Sequence, residues 1–172
     1  LIFHPKVVHI PMALAVLMPL IAGGTLLAWW RGYLPRVAWL IPVTLQAVLV
    51  TTGFAAMQSG ERDEDRVEQI VDESAIDEHE EAAELFVKSS AAIFALMLVA
   101  FLVNRPTTDV SIALAATLGT LLVLGMGYRT GEAGGALVYK HGAANAFISA
   151  DPASPGAPGA HHGEDDEDDD DD

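Results

Sequence analysis

Four long apolar blocks dominate this chain of 172 residues and limit what it can fold into. Each block is about 19 to 24 residues long, and a helix needs about 20 residues, at 1.5 Å per residue, to cross the ~30 Å hydrocarbon core of a bilayer. No small-residue cleavage pattern follows the first block, so we expect it to be retained as an anchor. We predict an all-α integral membrane protein with transmembrane spans at about 7–30, 37–57, 82–103 and 110–128.

Short turns at 31–36 and 104–109 join the first span to the second and the third to the fourth. Turns this short make the joined helices antiparallel neighbours, so residues 1–148 are predicted to form a four-helix antiparallel bundle. Residues 149–172 are first rich in Pro, Ala and Gly and then almost wholly acidic. Such a composition does not bury an apolar core, and it predicts a disordered acidic C-terminal tail.

The connection between the second and third spans carries an apolar pattern of its own. Val67, Ile70, Val71 and Ser74 are spaced i, i+3, i+4 and i+7, which predicts a short amphipathic helix over 62–73 on the membrane face. Ser74 is predicted to cap the next helix. The Gly-rich stretch 134–142, after the fourth span, is expected to pack back on the bundle.

Polar residues inside the second span are predicted to form hydrogen bonds between helices rather than a conduction path. They are Thr44, Gln46, Thr51 and Thr52.

The formal charge of the chain is -15, and the acids are concentrated in 61–84 and 164–172. These regions repel nucleic acid and suit a basic partner or cations, although adaptation to high salt would give the same composition. The chain has no cysteine, which excludes disulfides, thiolate metal sites, iron–sulfur clusters and covalently attached c-type haem.

Four histidines flank the spans on the same predicted side of the membrane. His4 and His9 precede the first span, His79 precedes the third, and His141 follows the fourth. Each alone has an ordinary structural interpretation as a cap, an interfacial polar residue or a loop residue. Their convergence predicts that at least two of them bind a ligand. The histidine pair 161–162, in the tail, is expected to be solvated.

Positive charge in the short turns predicts the orientation. The two short turns contain three arginines, Arg31, Arg36 and Arg105, but only one Asp. Short loops rich in Arg stay on the cytoplasmic side of a membrane. We therefore expect a multi-pass protein of the cell (plasma) membrane with both termini external or periplasmic.

Imidazoles from different helices of a membrane bundle are a common way to hold haem b. We predict one or two haems b, with His9 and His79 as the first axial pair. His4 and His141 would form a second pair or a supporting shell.

Charged neighbours complete this prediction and leave one alternative open. Arg129 and Lys140, next to the same face, are expected to pair with the haem propionates. Alternatively, the histidines hold zinc or copper together with Glu78 or Glu80.

Two motifs carry a resemblance to a known family. H-P-x-x-V-H-I-P at 4–11 and G-G-x-L-V-Y-x-H-G at 134–142, with His79 and the Gly-rich ends of spans two and four, resemble the bacterial and archaeal membrane family catalogued as domain of unknown function 2231. The resemblance covers about residues 3–148. It implies a four-span bundle with family histidines at His4, His9, His79 and His141, and a redox setting, because some members are fused to c-type cytochrome segments.

We therefore expect a haem-b-binding electron-transfer subunit of a respiratory or photosynthetic type of membrane redox complex. It would relay electrons on the external face between a quinol or a haem of a partner subunit and a c-type cytochrome or copper carrier. The competing interpretation is a non-catalytic membrane assembly subunit or a metal-binding (Zn/Cu) subunit. The sequence has no hydrolytic or phosphate-binding motif, which makes an independent enzyme the weaker expectation.

Overall fold

The computed structural model describes residues 7–69, 71–103 and 108–143, apart from the side chains of 63–66. Within these ranges the protein is helical and has no strand, as predicted. His4, Arg105, the histidine pair 161–162 and the tail from 149 lie outside the described residues. The long helices are α1 (His9–Trp30), α2 (Leu40–Val67), α3 (Glu73–Leu102) and α4 (Thr108–Tyr139), and a 3-10 turn (Arg36–Trp39) precedes α2.

All four helices are long and apolar enough to cross a membrane. With 30 and 32 residues, α3 and α4 are the longest of the described helices. At 1.5 Å per residue they measure roughly 45 and 48 Å, well beyond the ~30 Å of a hydrocarbon core. In a bilayer, the ends of α3 and α4 would therefore extend past the apolar layer.

Each helix packs on two others: α1 on α2 and α4, and α3 on α2 and α4. Two buried hydrogen bonds fix α2 and the turn before it against α3. The Trp39 indole donates to the carbonyl of Met97 at 3.1 Å, and Gln46 Nε2 donates to the carbonyl of Ser90 at 3.0 Å. Residue numbers thus rise along α2 as they fall along α3.

The predicted interhelical role of the polar residues in α2 is confirmed for Gln46, which bonds to α3. It is wrong for Thr51 and Thr52, whose hydroxyls donate to carbonyls one turn earlier in α2, at 2.8 and 2.7 Å. A threonine in a helix reaches its own i−4 carbonyl without help from a neighbour, so it bonds locally. The longer Gln side chain reaches across the helix contact.

A buried phenylalanine of the third helix lies between two glycines, one in the second helix and one in the fourth. Phe86 of α3 is only 4% exposed. A Cβ atom built on Gly53 of α2 would lie 3.6 Å from its ring, and one on Gly127 of α4 would lie 3.2 Å away. The two glycines therefore let α2 and α4 approach the same aromatic ring.

Arg36 forms polar contacts at the end of the bundle where α3 ends and α4 begins. Its guanidinium donates to the carbonyls of Phe101 and, at 2.7 Å, Val103, where α3 ends. Its Nε lies 3.6 Å from a carboxylate oxygen of Asp109, at the start of α4. Arg36 thus donates hydrogen bonds to carbonyls at the end of α3, where helical donors are lacking, and forms an ion pair with Asp109 of α4.

A second apolar cluster forms between the end of α2, the beginning of α3 and the end of α4. Val71, Ile76 and Ala143 are its buried members, and Val67 and Leu137 pack against them. The predicted separate helix over 62–73 is wrong, because α2 continues unbroken to Val67, and Val67 and Val71 pack in this cluster of the protein. Ile70 lies outside the described residues.

Two neighbouring predictions also need correction. Helix α3 begins at Glu73, after Asp72, so Ser74 is inside the helix and is not its cap. The Gly-rich stretch does not fold back as a separate segment, because residues up to Tyr139 form the last turns of α4. Of these glycines, Gly134 lies directly against His79 of α3.

Candidate functional site

The histidine end is the end of the bundle where α1 and α3 begin and α2 and α4 terminate. Two contacts align the helices there. Met12 of α1 lies against Gly131 of α4, and His79 of α3 lies against Gly134 of α4. His9, His79 and the His141 position at the end of α4 therefore share this end, as expected from the spans.

A cavity of about 180 Å³ opens between the beginning of α3 and the end of α4. Glu78 lines it from α3, and Arg129 and Glu132 line it from α4, followed by Lys140 and His141. Residues 129, 132, 133, 136 and 140 recur at helical spacing, so a single face of α4 supplies most of this wall. Three residues nominated from the sequence, Arg129, Lys140 and His141, thus meet at one site.

The cavity combines opposite charges around an imidazole. Two cations and two carboxylates balance formally, and all five polar side chains are exposed at its rim. Their interactions are therefore screened by salt and water. Arg129 and Lys140 can bind an anionic group such as a carboxylate or phosphate, and Glu78 or Glu132 can accept hydrogen bonds from the same ligand.

His79 faces away from this opening, into the contact between α3 and α4. A Cβ atom built on Gly134 would lie 3.0 Å from Cε1 of His79, 3.4 Å from Nδ1 and 3.7 Å from Nε2. The edge of the imidazole that carries both nitrogens therefore faces the backbone of α4, and the ring is half-buried. A ligand of His79 would bind at the α3–α4 contact rather than between α1 and α3.

His9 is exposed in the first turn of α1. It is not among the residues that line the cavity. The turns of α1 that follow it pack elsewhere, with Pro11 against Gly53 of α2 and Met12 against Gly131 of α4. The structure therefore gathers His79, Arg129, Lys140 and His141 on the α3–α4 pair and leaves His9 on another helix, while His4 lies outside the described residues.

A second cavity, acidic and about 360 Å³, lies between the end of α2 and the beginning of α3. Its lining consists of Met57, Glu61, Asp77, Glu80, Glu81 and Glu84. The two carboxylates considered as alternative metal ligands are therefore separated, with Glu78 at the first cavity and Glu80 at the second. Among the described residues, no three His, Asp or Glu side chains come close enough to hold one metal ion.

The sequence analysis assigned no contact or site role to three residues that shape this end. Glu132 lines the first cavity, and Gly134 receives the His79 ring. The Thr130 hydroxyl lies 2.9 Å from the carbonyl of Ala82 in α3 and 3.0 Å from that of Met126 in its own helix. Helical spacing from Arg129 could have indicated Glu132, whereas the roles of the other two depend on how α4 faces α3.

Comparison with known proteins adds no relative, since no family model, curated protein or solved structure matches this chain. The resemblance to the family of unknown function 2231 therefore depends on the motif residues alone. The structure places the second of those motifs, 134–142, over the last turns of α4 and the residues that follow.

Proposed function

We propose that this chain is a four-span, antiparallel subunit of the cell membrane that binds haem b at its external histidine end and relays electrons there. One observation carries the proposal, namely that Arg129, Lys140 and His141 line a single cavity beside α3. The contacts of Met12 with Gly131 and of Gln46 with Ser90 support the antiparallel arrangement. The charge of the short turns supports the orientation.

The residues present fit the chemistry of a haem. The imidazole of His141 is the candidate iron ligand, and Arg129 and Lys140 are the candidate partners of the propionates. The cavity of about 180 Å³ is smaller than a whole haem, so these residues would hold only part of the group. We propose His79 instead of His9 as the second ligand, and its ring would have to turn from the α3–α4 contact toward the cavity to reach the same iron. When bound, haem supplies one-electron oxidation and reduction at its iron.

The site lies at one end of the bundle, so the protein alone would not carry electrons across the bilayer. It would pass them between a membrane quinol or a haem of another subunit and an external c-type cytochrome or copper carrier. The acidic cavity between α2 and α3 and the acidic tail suit a carrier with a basic surface.

A second candidate is an assembly subunit or one that binds zinc or copper. The observation in its favour is the size of the cavity, which falls below the ~300–1,000 Å³ typical of small-molecule sites. Glu78 and His141 offer one carboxylate and one imidazole for a metal ion. Such a metal would need further ligands from outside the described residues or from another subunit.

The absorption spectrum of the protein, purified gently with its partners, tests the proposal. We expect a Soret band typical of low-spin haem, and we expect His141→Ala or His79→Ala to make the iron high-spin or to release the haem. His9→Ala is the matched control and should leave the spectrum unchanged. A colourless parent protein would refute haem binding, and its zinc and copper content would then test the second candidate.

A further inference from the structure

A fully buried amide lies in the middle of the bundle, far from the histidine end. Gln46 of α2 is 0% exposed. Its Nε2 donates to the carbonyl of Ser90, which fixes the orientation of the amide. Its Oε1 is also buried, and it accepts no hydrogen bond from any residue in the described part of the chain.

Two buried hydroxyls of the core donate to carbonyls of their own helices. The Ser90 hydroxyl donates to the carbonyl of Phe86 at 2.7 Å, and the Thr120 hydroxyl donates to the carbonyl of Thr117. Turning the amide by 180° would not help, because it would place Oε1 against the Ser90 carbonyl, which is another acceptor. The protein itself thus supplies no donor to this oxygen in the described structure.

A proline creates a second acceptor at the same depth. Pro11 of α1 contacts the position of Gly53 in α2. Seven residues farther into the bundle along each helix are Met18 and Gln46, so Pro19, which follows Met18, is nearly level with the amide. Because Pro19 has no N–H, the Ala15 carbonyl loses its helical donor.

We propose that a water molecule is bound in the centre of the bundle, donating one hydrogen bond to Oε1 of Gln46. The Ala15 carbonyl is the candidate acceptor of its second hydrogen. Buried waters characteristically join otherwise unsatisfied polar groups in this way. The ordering of one water costs less than leaving a buried amide oxygen without a donor in an apolar bundle.

The full chain in phospholipid nanodiscs, labelled with ¹⁵N-glutamine, provides a direct test. The sequence contains Gln46, Gln58 and Gln69, and replacing the two exposed ones by Gln58→Glu and Gln69→Glu leaves only the signal of Gln46. We expect its NH₂ protons to show NOE and ROE cross peaks of opposite sign at the water frequency, as for a long-lived bound water. An intact NH₂ signal without a water cross peak would overturn the proposal.

Two variants separate bound water from other sources of such a cross peak. Ser90→Ala removes a hydroxyl that could relay magnetisation but keeps the carbonyl that Gln46 bonds, so the cross peak should persist. Its loss in Ser90→Ala would overturn the proposal. Pro19→Ala restores a donor for the Ala15 carbonyl, and we expect a weaker cross peak. An unchanged cross peak in that variant would overturn the assignment of Ala15 as the second acceptor.

Discussion

Gly134 and Gly135 are adjacent in α4 but have different surroundings, which makes them a matched pair for testing the position of His79. A Cβ atom at Gly134 would lie 3.0 Å from Cε1 of the His79 imidazole. A Cβ atom at Gly135 would meet nothing within 4 Å. The substitutions Gly134→Ala and Gly135→Ala therefore add the same methyl group to a contact and to open space.

Gly135→Ala should raise the free energy of unfolding, whereas Gly134→Ala should not. Alanine is favoured over glycine in a helix by roughly 0.5–1 kcal/mol, so Gly135→Ala should stabilise the protein by about that amount. Gly134→Ala receives the same gain, but displacement of the imidazole costs roughly 1–3 kcal/mol as overpacking. Its net effect should therefore range from neutral to a loss of about 2.5 kcal/mol, as the two estimates combine.

Reversible unfolding in mixed detergent and lipid micelles gives the free energies needed for this comparison. The same two substitutions are then made in a His79→Ala background, which removes the imidazole. There Gly134→Ala should become as stabilising as Gly135→Ala, and the difference measures the coupling of His79 to Gly134. Equal effects of the two glycine substitutions in the parent protein would refute the placement of His79 against α4.

Arg36, the two termini and the acidic tail can each be tested separately. Replacing Arg36 by Met removes charged hydrogen bonds to the end of α3 and should cost roughly 1.5–3 kcal/mol in unfolding free energy. The same substitution at the exposed Arg31, whose guanidinium lies 5.6 Å from the Trp30 ring, should lower the unfolding free energy by no more than about 1 kcal/mol. Equal losses in the two variants would contradict the role of Arg36. Reporter fusions at positions 35 and 154 should report cytoplasm and exterior, respectively, and a cytoplasmic signal from position 154 would contradict the orientation. Deletion of 164–172 should leave thermal stability unchanged and slow a salt-sensitive association with a basic carrier, whereas a rate insensitive to both salt and deletion would favour adaptation to high salt.

The helices themselves were predictable because the information for them is local. An apolar run long enough to cross a bilayer must satisfy its backbone hydrogen bonds internally, and a helix does so without reference to the rest of the chain. The sequence therefore determined that there are four long helices and where their apolar parts lie. It did not determine their full lengths, because α2 and α4 continue past 57 and 128 to Val67 and Tyr139, and α3 begins at Glu73 rather than near 82.

The composition of the candidate site depended on how each helix is rotated about its axis. In a membrane bundle, lipid-facing and core-facing residues are both apolar, so hydropathy does not mark the inward face of a helix. Rotation alone decides that Glu78 and Glu80 line different cavities, and that His79 faces α4 while His9 is exposed on α1. Sequence patterns contain the residues of the site but not these rotations.

The adjacent glycines in α4 show the same division most directly. Residue type does not distinguish Gly134 from Gly135, and both weaken a helix to the same degree. Successive residues in a helix differ by about 100° in direction, so only one of the two can face the neighbouring helix. The sequence determined that a close approach was available near the end of α4, and the packing of α3 decided that Gly134 receives the imidazole.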